Sequence, residues 1–196
     1  GSKLVVTTVR TILPELLNEF LTDDLDSLLE ARRARHPDAD SEIRRRLYQT
    51  LATAAFAAAR EIEHDARDRG FPAEDLSTTL LIAVARQSAH GWFIAGFSVG
   101  DGGGAVLDLD DGSVTPLIRP DSGEFAGQTR FLQRSEFSGG FTDVVDRLFF
   151  TVRDRFTAVI LLTDGITDPV FPSEARLVDP ARWVAFWTDL TAAVDL

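Results

Sequence analysis

The chain has 196 residues, 44% of them hydrophobic, and carries 31 acidic against 20 basic side chains for a net charge of −11. That length and apolar content suit one domain burying roughly 70% of its unfolded surface, and the negative charge argues against nucleic-acid binding by simple backbone electrostatics. Cysteine is absent, which excludes disulfides and thiolate metal sites and fits a cytoplasmic location; no apolar run reaches the ~18 residues of a membrane span.

The N-terminal stretch sets Val5, Val9, Leu13, Leu17, Phe20 and Leu21 at helical spacing, a pattern that continues to Leu29. Pro14 lies inside it and is expected to kink or restart the helix. A polar linker over 32–40 precedes a second helix. Ser41 is its expected cap, and Ile43, Leu47, Leu51, Ala55, Ala58 and Ile62 share one face. Gly70 and Pro72 end it.

The period then changes. Residues 77–86 and 92–99 read as strands, and Asp101-Gly102-Gly103-Gly104 breaks the second. Strands at 105–109 and 114–118 flank Asp110-Asp111-Gly112, a strong hairpin signal. Strands at 148–153 and 156–162 flank Asp154-Arg155, read as another hairpin. Residues 180–194 form a closing amphipathic helix with Trp183, Phe186 and Trp187. Hairpin-linked strands grouped away from the helices indicate an α+β fold.

Two strand ends carry the same device. Val99-Gly100-Asp101-Gly102 ends one apolar strand and Thr163-Asp164-Gly165 another, with Asp168 one turn further on. Carboxylates at the edge of a core are costly without a positive partner. If these strand tips are adjacent, Asp101, Asp164 and Asp168 converge, and an all-oxygen cluster suits a hard cation such as Mg²⁺ or Mn²⁺. The alternative is that the Asp-Gly pairs are turn formers, as Asp111-Gly112 is. No Walker-type Gly-x-x-x-x-Gly-Lys is present.

Taken in order, these stretches resemble the metal-dependent Ser/Thr protein phosphatases of type 2C, the PPM family. STTLLIAVA (77–85) is similar to the family's Thr-rich strand start. FSVGDGGGAVLDLDDGSVTPL (97–117) is similar to its Gly-Asp strand end and hairpin, and LLTDGITD (161–168) to its Ser/Thr-Asp-Gly-x-x-Asp motif. SGEFAGQTRFL (122–132) and DPARWVAFW (179–187) resemble segments of a bacterial subgroup, with Gly127 where that subgroup usually has Asn.

The resemblance implies a single phosphatase-like domain over 1–196, built as a four-layer α/β/β/α sandwich of two antiparallel sheets flanked by helices. It implies hydrolysis of phosphoserine or phosphothreonine in a phosphoprotein, including a target of a cognate Ser/Thr kinase, by a water activated on Mg²⁺ or Mn²⁺. Asp164 corresponds to a core metal ligand; Asp101 and Asp168 correspond to acids near an additional, weaker metal site. Neither the family's N-terminal Asp-Gly, whose Asp bridges two metals, nor its C-terminal Asp strand has a counterpart here. The chain is therefore expected to be incomplete at both ends and inactive by itself. A catalytically inactive, protein-binding relative is the competing reading.

His36, His64 and His90 share no ligand spacing and read as solvated or structural. Arg44-Arg45-Arg46 reads as a solvated helix face. Glu124 is a candidate for either substrate contact or turn capping.

Overall fold

The computed structural model describes residues 1–120 and 129–194. The first apolar stretch folds into a near-continuous helix: α1 (Ser2–Glu19), a π-helical turn (Phe20–Asp24) and α2 (Leu25–Arg33). Pro14 sits exposed inside α1 and does not restart it; its missing N–H leaves only the Arg10 carbonyl without a helical donor. The irregularity falls instead at Phe20–Asp24. The second stretch is built the same way, as α3 (Ala39–Leu47), a π-helical turn (Tyr48–Ala52) and α4 (Thr53–Arg69). Ser41 is not its cap. The helix starts two residues earlier, where the backbone N–H groups of Ala39 and Glu42 bond to the carbonyls of His36 and Asp38. Gly70 closes α4 in the left-handed conformation, φ 71°, as a C-terminal glycine does.

Six strands follow: β1 (Leu80–Ser88), β2 (Gly91–Val99), β3 (Gly103–Asp108), β4 (Ser113–Ile118), β5 (Leu148–Arg153) and β6 (Ala158–Leu162). They form two antiparallel sheets of three strands, one in the order β1-β2-β5 and the other β4-β3-β6. The Asp110-Asp111-Gly112 turn joins β3 to β4 as a hairpin, with Gly112 at φ 67°. There the Ser113 hydroxyl and N–H hold the Asp111 carboxyl below its ordinary value. Asp154-Arg155 does not make a hairpin. β5 pairs with β2 and β6 with β3, so this connection crosses from one sheet to the other. Nor does the break after β2 extend to Gly104: Gly103 and Gly104 already belong to β3.

Alternation along the strands explains the layering. In β2, Phe93, Ala95, Phe97 and Val99 face α1–α4 and join their apolar stripes in the largest core. Ile94 points the other way, meeting Val106 of β3 and Leu117 of β4 between the sheets. Three short helices, α5 (Phe141–Val144), α6 (Asp164–Val170) and α7 (Glu174–Leu177), precede the closing helix α8 (Pro180–Val194). In β3, Ala105 and Leu107 face outward onto Trp183 of α8. The result is helices, sheet, sheet, helices: an α+β sandwich in four layers. Arg44 departs from the solvated-face expectation, since its guanidinium donates to the Leu148 carbonyl and ties α3 to β5. Arg46 likewise reaches Asp24, at 2.7 Å. No helix among the described residues is long and apolar enough to cross a membrane.

The sheets touch most closely at Gly96 of β2, where an added Cβ would come within 2.7 Å of Leu117 Cγ and 2.8 Å of the Leu117 carbonyl oxygen. A side chain there must push the sheets apart. Gly96→Val is expected to cost about 2 kcal/mol or more, read as a fall in the denaturation midpoint; Gly112→Ala, in open space, should cost less.

Candidate active site

The site lies where β2, β3 and β6 end together. β3 pairs with β6 so that Gly103 faces Leu162; Asp101, two residues before Gly103, and Asp164, two residues after Leu162, therefore stand at the same end of one sheet. Gly100 makes the turn into Asp101 with φ 123°, and a Cβ there would meet Thr79 Cγ2 at 2.5 Å. Only glycine combines that backbone with that space. The Asp101 carboxylate is held in place by a hydrogen bond that the Thr129 hydroxyl donates to Oδ2. Its backbone is held too, since the Thr167 hydroxyl lies 3.4 Å from the Asp101 carbonyl oxygen.

Thr163 precedes α6 (Asp164–Val170), a short helix carrying Asp164, Thr167 and Asp168 in successive turns. The Thr163 carbonyl accepts the N–H groups of Ile166 and Thr167, both at 2.9 Å. Thr167 faces inward and is buried, whereas Asp164 and Asp168 are exposed. Asp164 Oδ1 accepts the Gly165 N–H at 2.8 Å.

A cavity of about 530 Å³ opens beside this helix, lined by Asp101, Arg119, Pro120, Thr167, Asp168, Phe171, Pro172, Ser173 and Leu177. The structure thus brings Asp101 and Asp168 to one cavity; Asp164 stands at the same sheet end but outside its lining. Among the described residues, no three His, Asp or Glu side chains gather closely enough to hold one metal ion. Among the described residues the donor set in the cavity is all oxygen: two carboxylates with the Thr167 and Ser173 hydroxyls. It fits a hard cation, which is commonly held by one or two carboxylates with retained water.

Arg119 escaped the sequence reading. It follows β4, and the pairing of Ile118 with Gly104 returns it to the end where Asp101 lies. The signal was the hairpin register, visible only once the Gly112 turn was taken as fixed. Its guanidinium carbon lies 5.4 Å from the centre of the Phe149 ring, and it also lines a neighbouring cleft with Arg130 and Arg147. Glu124 and most of the segment 122–132 fall outside the described residues. The histidines lie elsewhere: His64 sits 3.3 Å from Asp68 on α4, and His90 sits 3.5 Å from Glu30.

The cavity's apolar wall is buttressed from behind. Phe171 stacks on Trp183 with ring centres 4.3 Å apart, and Trp183 Nε1 donates to the Leu177 carbonyl at 2.8 Å. Four layers with two carboxylates and an arginine collected at one sheet end make this a phosphatase-type sandwich. The family model described as Protein phosphatase 2C matches residues 1–195, and the chain belongs to that family. Its general activity is accordingly that of a protein phosphatase, a hydrolase. No curated protein and no solved structure matches the chain.

Because Trp183 is fully buried and supports both Phe171 and Leu177, Trp183→Ala is expected to cost about 3–5 kcal/mol in a denaturant titration. Trp183→Phe should recover part of that loss while still leaving the Leu177 carbonyl without its donor.

Proposed function

We propose that this domain hydrolyses phosphoserine and phosphothreonine in phosphoproteins, among them the targets of a cognate Ser/Thr kinase, with Mg²⁺ or Mn²⁺ as cofactor. The observation that carries the reading is the meeting of Asp101, Asp168 and Arg119 in one cavity at the sheet end. Asp101 and Asp168 would hold a cation, and Asp164 is assigned as a core metal ligand from its Thr-Asp-Gly strand end and the family resemblance. A bound ion would supply positive charge against the phosphoryl oxygens and lower the pKa of water.

The chain's own residues account for the rest of the work. Among the described residues Arg119 is the one cation in the lining, and a guanidinium offers paired donors to two phosphoryl oxygens. Phe149 supports its orientation. Thr129 fixes the Asp101 carboxylate in one orientation, so it need not reorganise when charge arrives. Phe171, Pro172, Pro120 and Leu177 give the cavity an apolar side that excludes water and strengthens those charge contacts.

A catalytically inactive, protein-binding module is the second reading. Phosphate release from a phosphothreonine peptide separates the two, measured in the gene product that carries this domain, with and without Mn²⁺. Metal-dependent release, cut by about 10²-fold or more in Asp164→Ala, is expected for the enzyme. Arg119→Ala should mainly raise KM, by about tenfold, as a lost phosphate contact does. Release that is absent with and without metal would overturn the enzyme reading.

A further inference from the structure

We propose that the groove between α1 and the end of β1 docks an amphipathic segment of a partner protein, apolar along one side and carrying carboxylates at its margins. The groove measures about 520 Å³ and runs along Val9, Leu13, Leu17 and Leu21, with Arg86 of β1 on its far wall. These four residues recur every fourth position, making a stripe about 18 Å long at 1.5 Å per residue, enough for three turns of a partner helix. Val9 and Leu17 seal its floor, while Leu13 and Leu21 remain partly open to solvent. Pro14 adds an acceptor, because it denies the Arg10 carbonyl its helical N–H.

Charge selects the occupant. Arg10 and Arg86 are the charged residues of the lining and both are exposed. The acids of α1 and the π-helical turn, Glu15, Glu19, Asp23 and Asp24, lie outside the lining. Although the chain's net charge is −11, an apolar furrow whose charged edge residues, among those described, are both arginines attracts a carboxylate-bearing segment and disfavours a basic one. The mode is a helix laid in a groove by leucine-type anchors at i, i+3, i+4 and i+7.

The groove is separate from the phosphatase cavity. Arg86 lies six residues along β1 from Leu80, which pairs with Val99 next to the Gly100-Asp101 turn, so the two are about 20 Å apart at 3.3 Å per residue. A docked segment leaves Asp101 and Asp168 open.

The test uses the 196-residue chain and a fluorescein-labelled peptide with leucines at i, i+3, i+4 and i+7 and flanking glutamates, beside a counterpart whose glutamates are lysines. Fluorescence polarisation is expected to show saturable binding of the glutamate peptide, weakened about tenfold or more in the Arg10→Glu/Arg86→Glu double variant. The lysine peptide should bind the wild-type chain about tenfold more weakly and the double variant more tightly. Both arginines are exposed, so an unchanged melting curve will certify the variant's fold. Failure of the glutamate peptide to saturate, equal binding of the two peptides, or indifference to the double substitution would each overturn the proposal. Concentration-dependent dimerisation in sedimentation, abolished by Leu13→Asp, would assign the groove to a second copy of the chain and overturn it as well.

Discussion

How closely the two sheets approach governs the rest of the molecule. Gly96 lets β2 lie against Leu117 without an intervening side chain, and Ile94, Val106 and Leu117 fill the interior on either side. Stacked sheets stand about 10 Å apart. The connection from Val99 at the end of β2 to Gly103 at the start of β3 spans four Cα–Cα steps, about 14 Å at full stretch. Such a link has little slack. It fixes Asp101 in the crossing between sheets, where the Thr129 hydroxyl and the Thr167 side chain meet it from other parts of the chain.

The same geometry concentrates charge at one end. β3 is buried along its whole length, and charged groups collect at its ends. At the Gly103 end these are Asp101, Arg119 and the acids of α6. Two carboxylates that share a cavity repel one another, and a guanidinium in the same lining offsets part of that cost.

Much of this architecture was legible in the residues. Asp-Gly at two strand ends, the Gly112 turn and the alternation in β2 and β3 are local signals, and local interactions enforce them. What stayed hidden depended on choices between distant partners. Asp154-Arg155 has the composition of a hairpin turn, yet Trp92 meets Phe156 edge to face at 5.3 Å, helping to draw the chain over to the second sheet. Arg119 could not be singled out by type or spacing, because its place beside Asp101 follows from strand register. Asp164 illustrates the converse. Its motif stands out in the sequence, but how its carboxylate is set at the sheet end depends on the turn into α6, where Oδ1 accepts the Gly165 N–H.

The two π-helical turns, Phe20–Asp24 and Tyr48–Ala52, sit in helical stretches whose apolar faces must both look toward the same sheet. A π turn holds one residue more than the α turn it replaces. Phe20 and Leu25 are five apart and still share the core, and Leu47 and Ala52 do the same. Each turn is therefore a register reserve. Removal of one exposed residue, such as Thr22 or Gln49, can be absorbed by reverting to α-helical winding, with Leu25 and Leu29 or Ala55 and Ala58 still facing inward. The helical layer can thus change in length by a residue at two defined points without being rebuilt.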